Sequence, residues 1–258
     1  FGWAGQRWNK LALLGGISAC ARTWRVGAAG SDFPRLAQEL AVAQDGDVID
    51  VGPGVYRENL VLTRRVSIVG HGSPVLYGLG TGSVIRILAP GCAVSGLTIE
   101  GSGTGESNEM DAGIQIASSG NRIEHNTMRR VFYGVVIAGG SDNEVRDNEI
   151  AGLVDLPYGR RGDGIYVYRA GGSRVLRNRV SGQRDGIYFQ YAPGGIAADN
   201  VVDTSRYALH VMFSNGIVVR GNTLGGSSVG ANIMDSRGIE VVENRFERNR
   251  GVSAVGLT

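Results

Sequence analysis

The stretch "DGIYFQYAPGGIAADNVVDTSRYALHVMFSNGIVVRGN", Asp185 to Asn222, states one pattern twice. A small residue (Gly186, Ala208) opens an alternating strand, a turn follows, a second short strand ("GIAA", "GIVV") comes next, and an asparagine (Asn200, Asn222) closes the unit. Matching positions lie 22 residues apart, and a fixed period of that size marks stacked supersecondary units. Working outward, the closing asparagine recurs at Asn126, Asn148, Asn178, Asn200, Asn222 and Asn244, in steps of 22, 30, 22, 22 and 22. The long step contains "DLPYGRRG", Asp155–Gly162, an eight-residue insertion that a stacked coil can extrude as a loop. Gly113, Gly134, Gly164, Gly186, Ala208 and Gly230 form a second column in step with the first.

Strands this short cannot stand alone, but stacked coils bury a continuous core and pair their inner edges. The pattern predicts an all-β fold, a right-handed single-stranded parallel β-helix: a pectate-lyase-like solenoid of about 22-residue coils. One asparagine per coil then stacks into an internal ladder, its amide bonding the backbone of its own and adjacent coils. Upstream, "SDFPRLAQELAVAQDGD" sets Ser31 and Asp32 ahead of Pro34, with Leu36 and Leu40 at helical spacing and a stop at Asp45-Gly46. This predicts an amphipathic helix capping the open N-terminal end of the solenoid. The expected division is 1–22 as signal peptide or N-terminal extension, 23–46 as an N-terminal strand and helical cap, and 47–258 as the β-helix.

"RWNKLALLGGISACA" joins basic Arg7 and Lys10 to an apolar run from Leu11 to Ala19, then places Ala19 and Ala21 at signal-peptidase spacing. An exported, periplasmic protein is expected. Ile17-Ser18-Ala19-Cys20 also fits a lipobox, so cleavage after Ala21 and lipidation at Cys20 both stand. The 258 residues suffice for one sizeable core, and no linker divides them. A formal charge of +2 from 26 basic and 24 acidic residues, without a basic run, argues against nucleic acid as a partner. Cys20 and Cys92 make neither a disulfide framework nor a paired-cysteine zinc site. No apolar run reaches the length of a membrane-spanning helix.

Alternation places Ile165/Val167, Ile187/Phe189, Leu209/Val211 and Ala231/Ile233 inward. Tyr166, Tyr168, Tyr188, Gln190, His210, Met212, Asn232 and Met234 then point outward, with Met212 and Met234 stacked on adjacent coils. Thioether and imidazole are neutral, polarizable donors suited to Cu(I). His210, Met212 and Met234 are therefore the candidate site for transient Cu(I) contact; an exposed apolar strip covered by a partner is the competing reading. Tyr166, Tyr168, Tyr188 and Gln190 extend that surface. His71 and His125 lie in turn-like stretches and are expected to be structural or exposed.

Asp163 and Asp185 share a register in "RGDGIYVY" and "RDGIYFQY", with Arg184 and Arg206 repeating beside them. Paired carboxylates among aromatic faces are what a polysaccharide-active β-helix (lyase, hydrolase or epimerase) needs. The residues alone favour the simpler assignment of both as turn residues, since Asp-Gly is a strong turn signal. A non-catalytic carbohydrate-binding module is the third option.

"EMDAGIQI", "RGDGIYVY", "RDGIYF", "SRYALHVMFS" and "NIMDS", in this order and spacing, resemble the NosD family of periplasmic nitrous oxide reductase maturation proteins. The resemblance runs from about Trp24 to Val255, and its specific part is Arg-Tyr-x-x-His-x-Met followed by x-Met-x-Ser. It implies an accessory role without catalysis of its own, handling copper or a sulfur species for a copper–sulfur centre. The implied partners are an ABC transporter permease and ATPase, a copper chaperone lipoprotein and nitrous oxide reductase, with association to the inner membrane through them. Val211 stands where family members often carry an aromatic residue, and members generally continue for further coils.

Overall fold

A computed structural model describes residues 21–27, 35–105, 110–250 and 255–258. The strands assemble into three parallel sheets of ten, nine and nine strands, each coil contributing one strand to each sheet. One complete coil runs through Ile196–Ala198, Val201–Asp203 and Tyr207–Met212. Its strands pair with Val218–Arg220, Thr223–Gly225 and Val229–Met234 of the next coil. Every partner lies 22 residues on, so the period read from the sequence is the rise from one coil to the next. Inward positions stack Ile165, Ile187, Leu209 and Ala231, all fully buried, within a core of isoleucine, valine and leucine that runs the length of the solenoid.

The asparagine ladder stands at the turn between the first two strands of each coil. Asn178 Oδ1 accepts the Asn148 backbone N–H at 3.1 Å and its side-chain amide at 3.0 Å. Asn178 Nδ2 donates to the Val145 carbonyl at 2.9 Å and to Asn200 Oδ1 at 3.1 Å. The residue before each rung is left-handed: His125, Asp147, Arg177, Asp199, Gly221 and Glu243 all have φ between 55° and 65° except Arg177 at 51°. His125 is thus a turn residue, while His71 is exposed and pairs with Asp50 at 3.3 Å. A shorter ladder, absent from the sequence reading, joins Asn121 to Asn143, whose Oδ1 accepts the Asn121 N–H at 3.0 Å.

The column of small residues answers to close approach between coils. A Cβ on Gly164 would lie 2.5 Å from the Gly186 carbonyl oxygen and 2.3 Å from a Val180 methyl. The insertion is displaced slightly from Asp155–Gly162, because Gly162 keeps its place in the coil and its carbonyl accepts the Arg184 N–H at 2.9 Å. The extruded residues leave after Gly152 and carry a short 3₁₀ turn, Tyr158–Arg160, with Arg161 clipped to the Val154, Leu156 and Gly182 carbonyls.

At the N-terminal end, Thr23–Val26 pairs with Val48–Val51 and begins the ten-stranded sheet. The helix spans Leu36–Val42 and buries Leu36 over the open core. Glu58, from the first coil, caps it by accepting the Leu36 and Ala37 N–H groups at 3.1 and 3.0 Å. The export segment, Cys20 and the Ser31–Pro34 start signal lie outside the described residues. Cys92 is a buried free thiol, raised above the usual range by burial. Among the described residues, no helix is long and apolar enough to cross a membrane.

Candidate functional site

The outer side of one nine-stranded sheet carries the candidate residues, on Tyr133–Ala138, Ile165–Tyr168, Asp185–Gln190, Tyr207–Met212 and Val229–Met234. Strand pairing aligns Val136, Tyr166, Tyr188, His210 and Asn232 in one column. Tyr168, Gln190, Met212 and Met234 align in the next. These side chains do point away from the core, but the strip is not the open surface that alternation suggests. Tyr166, Tyr188, His210 and Asn232 are only 7, 7, 6 and 8% exposed. Tyr166 and Tyr188 pack with Val136 as a second buried cluster, with Tyr133, Tyr168 and Met212 at its margin, and His210 stacks on Tyr188.

Aromatic stacking along the coils produces that closure. Tyr166 lies 5.1 Å from Tyr188, and Tyr188 lies 4.2 Å from the His210 ring at an interplanar angle of 6°. Tyr207 meets His210 edge-on at 5.0 Å. Rungs of a parallel sheet repeat at about 4.8 Å, so flat rings in one column are held at stacking distance. The Tyr188 hydroxyl donates to Met212 Sδ at 3.4 Å, and the Tyr166 hydroxyl to Gln190 Oε1. Met212 is half-buried; Met234, its register partner, is 42% exposed.

The two aspartates are not simple turn residues. Both are fully buried, and each accepts a two-pronged pair from the arginine that opens the next coil. Arg184 reaches Asp163 at 2.9 and 2.8 Å, and Arg206 reaches Asp185 at 2.9 and 2.7 Å. Asp185 pairs with Tyr207 in the same register that pairs Ile187 with Leu209, and its side chain turns to the outer side, toward His210. There its Oδ2 lies 3.0 Å from His210 Nδ1. The Asp185 N–H also binds Asp163 Oδ1 at 3.2 Å, linking the two pairs.

These surroundings set the charges. Burial, reinforced by the charge of Asp185, pushes the Asp163 carboxyl up to about 6 against the pull of Arg184. Burial would lift Asp185 as well, but hydrogen bonds from His210 and Arg206 outweigh it and hold that carboxyl below the usual range. Burial and the nearby Asp185 push the Tyr188 hydroxyl up to about 12, so it stays a donor to the thioether. His210 Nε2 is buried with no hydrogen-bond partner. Among the described residues, no three His, Cys, Asp or Glu side chains gather as a metal site. The donors that suit a metal here are soft ones: the thioethers of Met212 and Met234 and the free imidazole nitrogen.

The description "Right handed beta helix region" matches residues 84–255. The chain belongs to the right-handed β-helix family. Two curated proteins named "Probable ABC transporter binding protein NosD" are similar to this β-helix. The one from Stutzerimonas stutzeri is 32% identical over 133 residues, 51% of this chain and 30% of its own length. The one from Pseudomonas aeruginosa is 32% identical over 148 residues, 56% of this chain and 34% of its own length. The match thus spans about a third of these relatives. Among solved structures, the DFA-IIIase of Arthrobacter chlorophenolicus A6 superposes with a TM-score of 0.65 at 14% identity, covering 88% of this chain and 67% of that one. The periplasmic alginate epimerase AlgG gives 0.59 at 14%, covering 87% and 55%. Pectate lyase Pel9A gives 0.56 at 12%, covering 94% and 79%. Those likenesses are of fold alone.

The sequence pointed to His210, Met212, Met234, Tyr166, Tyr188 and Gln190 on one face, and the β-helix brings them together. Tyr133 and Tyr207, which flank the column, were missed; neither lies on the strict alternation that marked the stripe. Tyr191 and Phe213 were missed too. They stack at 5.0 Å and 9°, both at φ 51°, and their 22-residue separation was the available signal.

Proposed function

We propose that this β-helix is a periplasmic accessory protein for the maturation of nitrous oxide reductase, carrying copper as cargo in cooperation with an ABC transporter. The names of the two relatives support the binding role and the transporter. The observation that carries the copper reading is the register pairing of Met212 with Met234, beside a histidine whose Nε2 has no protein partner. Two thioethers and one imidazole offer Cu(I) neutral, polarizable donors, a set that suits holding and release rather than permanent storage. A copper chaperone lipoprotein and the reductase itself are the partners this role requires on the two sides of a transfer; a sulfur species is the alternative cargo. Polysaccharide chemistry by Asp163 and Asp185 is the weaker reading. Both carboxylates are buried and engaged by guanidinium groups, which leaves neither an acid nor a nucleophile free for a glycosidic bond.

Anaerobic competition for Cu(I) against a coloured chelator tests the proposal. The parent chain is expected to withdraw the metal, and Met212→Leu/Met234→Leu and His210→Ala to lose at least tenfold in affinity with unchanged β circular dichroism. Equal affinity in parent and variants would overturn it.

A further inference from the structure

We infer that Asp185, held by Arg206, is a positioning residue that fixes His210 as the Nδ1–H tautomer and thereby presents the Nε2 lone pair to the soft-metal cargo. The inference rests on the copper reading above and adds the group that prepares its imidazole.

The geometry begins at Arg206, whose two contacts to Asp185 fix both carboxylate oxygens in one plane. The Oδ2 atom so placed lies 3.0 Å from Nδ1 of His210. A carboxylate only accepts, so Nδ1 must carry the proton of that hydrogen bond. The other nitrogen follows by exclusion. Nε2 is buried without an acceptor, and an N–H left there would forfeit a hydrogen bond. A bare lone pair is the cheaper occupant. A flipped ring would set Cδ2 rather than Nδ1 against Asp185 Oδ2 and lose that hydrogen bond, while the ring stays packed on Tyr188 at 4.2 Å and against Tyr207 at 5.0 Å.

A carboxylate on one imidazole nitrogen fixes the tautomer and raises the basicity of the other, which is how metal-binding histidines are oriented in general. Nε2 is covered by its neighbours, so a metal ion reaches it only when a side chain turns aside. Met212, two residues along the strand, is unbranched with several rotatable bonds, and can turn while bringing its sulfur to the same ion. Met234 lies beside it on the next coil and opens to solvent. The order exposed Met234, half-buried Met212, buried His210 describes a path of entry.

The test compares the parent chain with Asp185→Asn and His210→Ala. Asp147→Asn is the control, since it weakens an Asp–Arg pair at a turn on another face. Two readouts are taken: the ¹⁵N shifts of the His210 ring in the metal-free protein, and Cu(I) affinity by chelator competition. The parent is expected to show a protonated Nδ1 and a bare Nε2, Asp185→Asn to shift that pattern and weaken Cu(I) at least tenfold, and Asp147→Asn to change neither. An Asp185→Asn protein with the parent's ring pattern and affinity would overturn the inference while leaving the copper reading intact. A parent that shows the expected tautomer but binds no Cu(I) would overturn the metal role of Nε2 and the copper reading together.

Discussion

The Asp163 carboxyl is fully buried, one coil from a second carboxylate, and burial with that neighbour's charge pushes it up to about 6. An unfolded aspartate titrates near 3.9. Between about 4 and 6 the folded chain therefore holds a proton at Asp163 that the unfolded chain has released, and stability falls with rising pH through that window. The contribution is complete below about 4, lost as pH rises through 6, and limited to about 1.4 kcal/mol for each pH unit. Asp185, held below the usual range, runs the other way: its contribution is present above the unfolded value and lost as pH falls. Urea unfolding of the parent and Asp163→Asn from pH 4 to 7 separates the two. The stability of the parent relative to the variant is expected to decline between pH 4 and 6, and a constant difference would refute the assignment.

Within each coil, the asparagine rung joins the turn to the turns above and below it. The Asn178 side chain makes four hydrogen bonds in a fully buried setting, so Asn178→Ala strands the Val145 carbonyl and the Asn148 N–H. At about 1–3 kcal/mol for each of these two buried unsatisfied groups, the expected loss is about 2–6 kcal/mol by chemical denaturation. Asn244 is half-buried near the last coils, and Asn244→Ala should cost about half as much, since water can reach what it leaves. Equal losses at the two positions would mean the rungs act through the backbone turn rather than through burial. These ladder and glycine columns were legible in the sequence because each coil must solve the same geometric problem with the same residue type. The Asn121–Asn143 ladder was not, since Ser173 takes the next register position and ends the asparagine series. The Asp–Arg pairs were hidden for a different reason. Asp-Gly is a sound turn signal wherever it occurs, and only the hydrogen bond to His210 shows that the Asp185 carboxylate faces outward rather than into a turn.

Across the whole molecule, each coil touches only its neighbours, so stability is local and adds coil by coil. The N-terminal helix matters because it covers the end of the hydrophobic column above the first coil of the described residues. Leu36 is 1% exposed there, and Leu36→Ala removes packing worth about 2–5 kcal/mol. In a globular core that loss would be shared by every element. In a solenoid it should stay near the lesion, opening the coils around Ile49 and Ile68 while the stacked rungs at Tyr188 and His210 keep their protection. Native-state hydrogen exchange measures both regions in one experiment. Faster exchange of the Val48–Val51 and Ser67–Gly70 amides, with unchanged exchange in Asp185–Gln190 and Tyr207–Met212, is the expected result. Equal acceleration throughout would mean the coils unfold as a single unit. The Tyr188–His210 column would then depend on the cap far along the chain, and any change in copper affinity on altering the cap would have to be read as a loss of the whole fold.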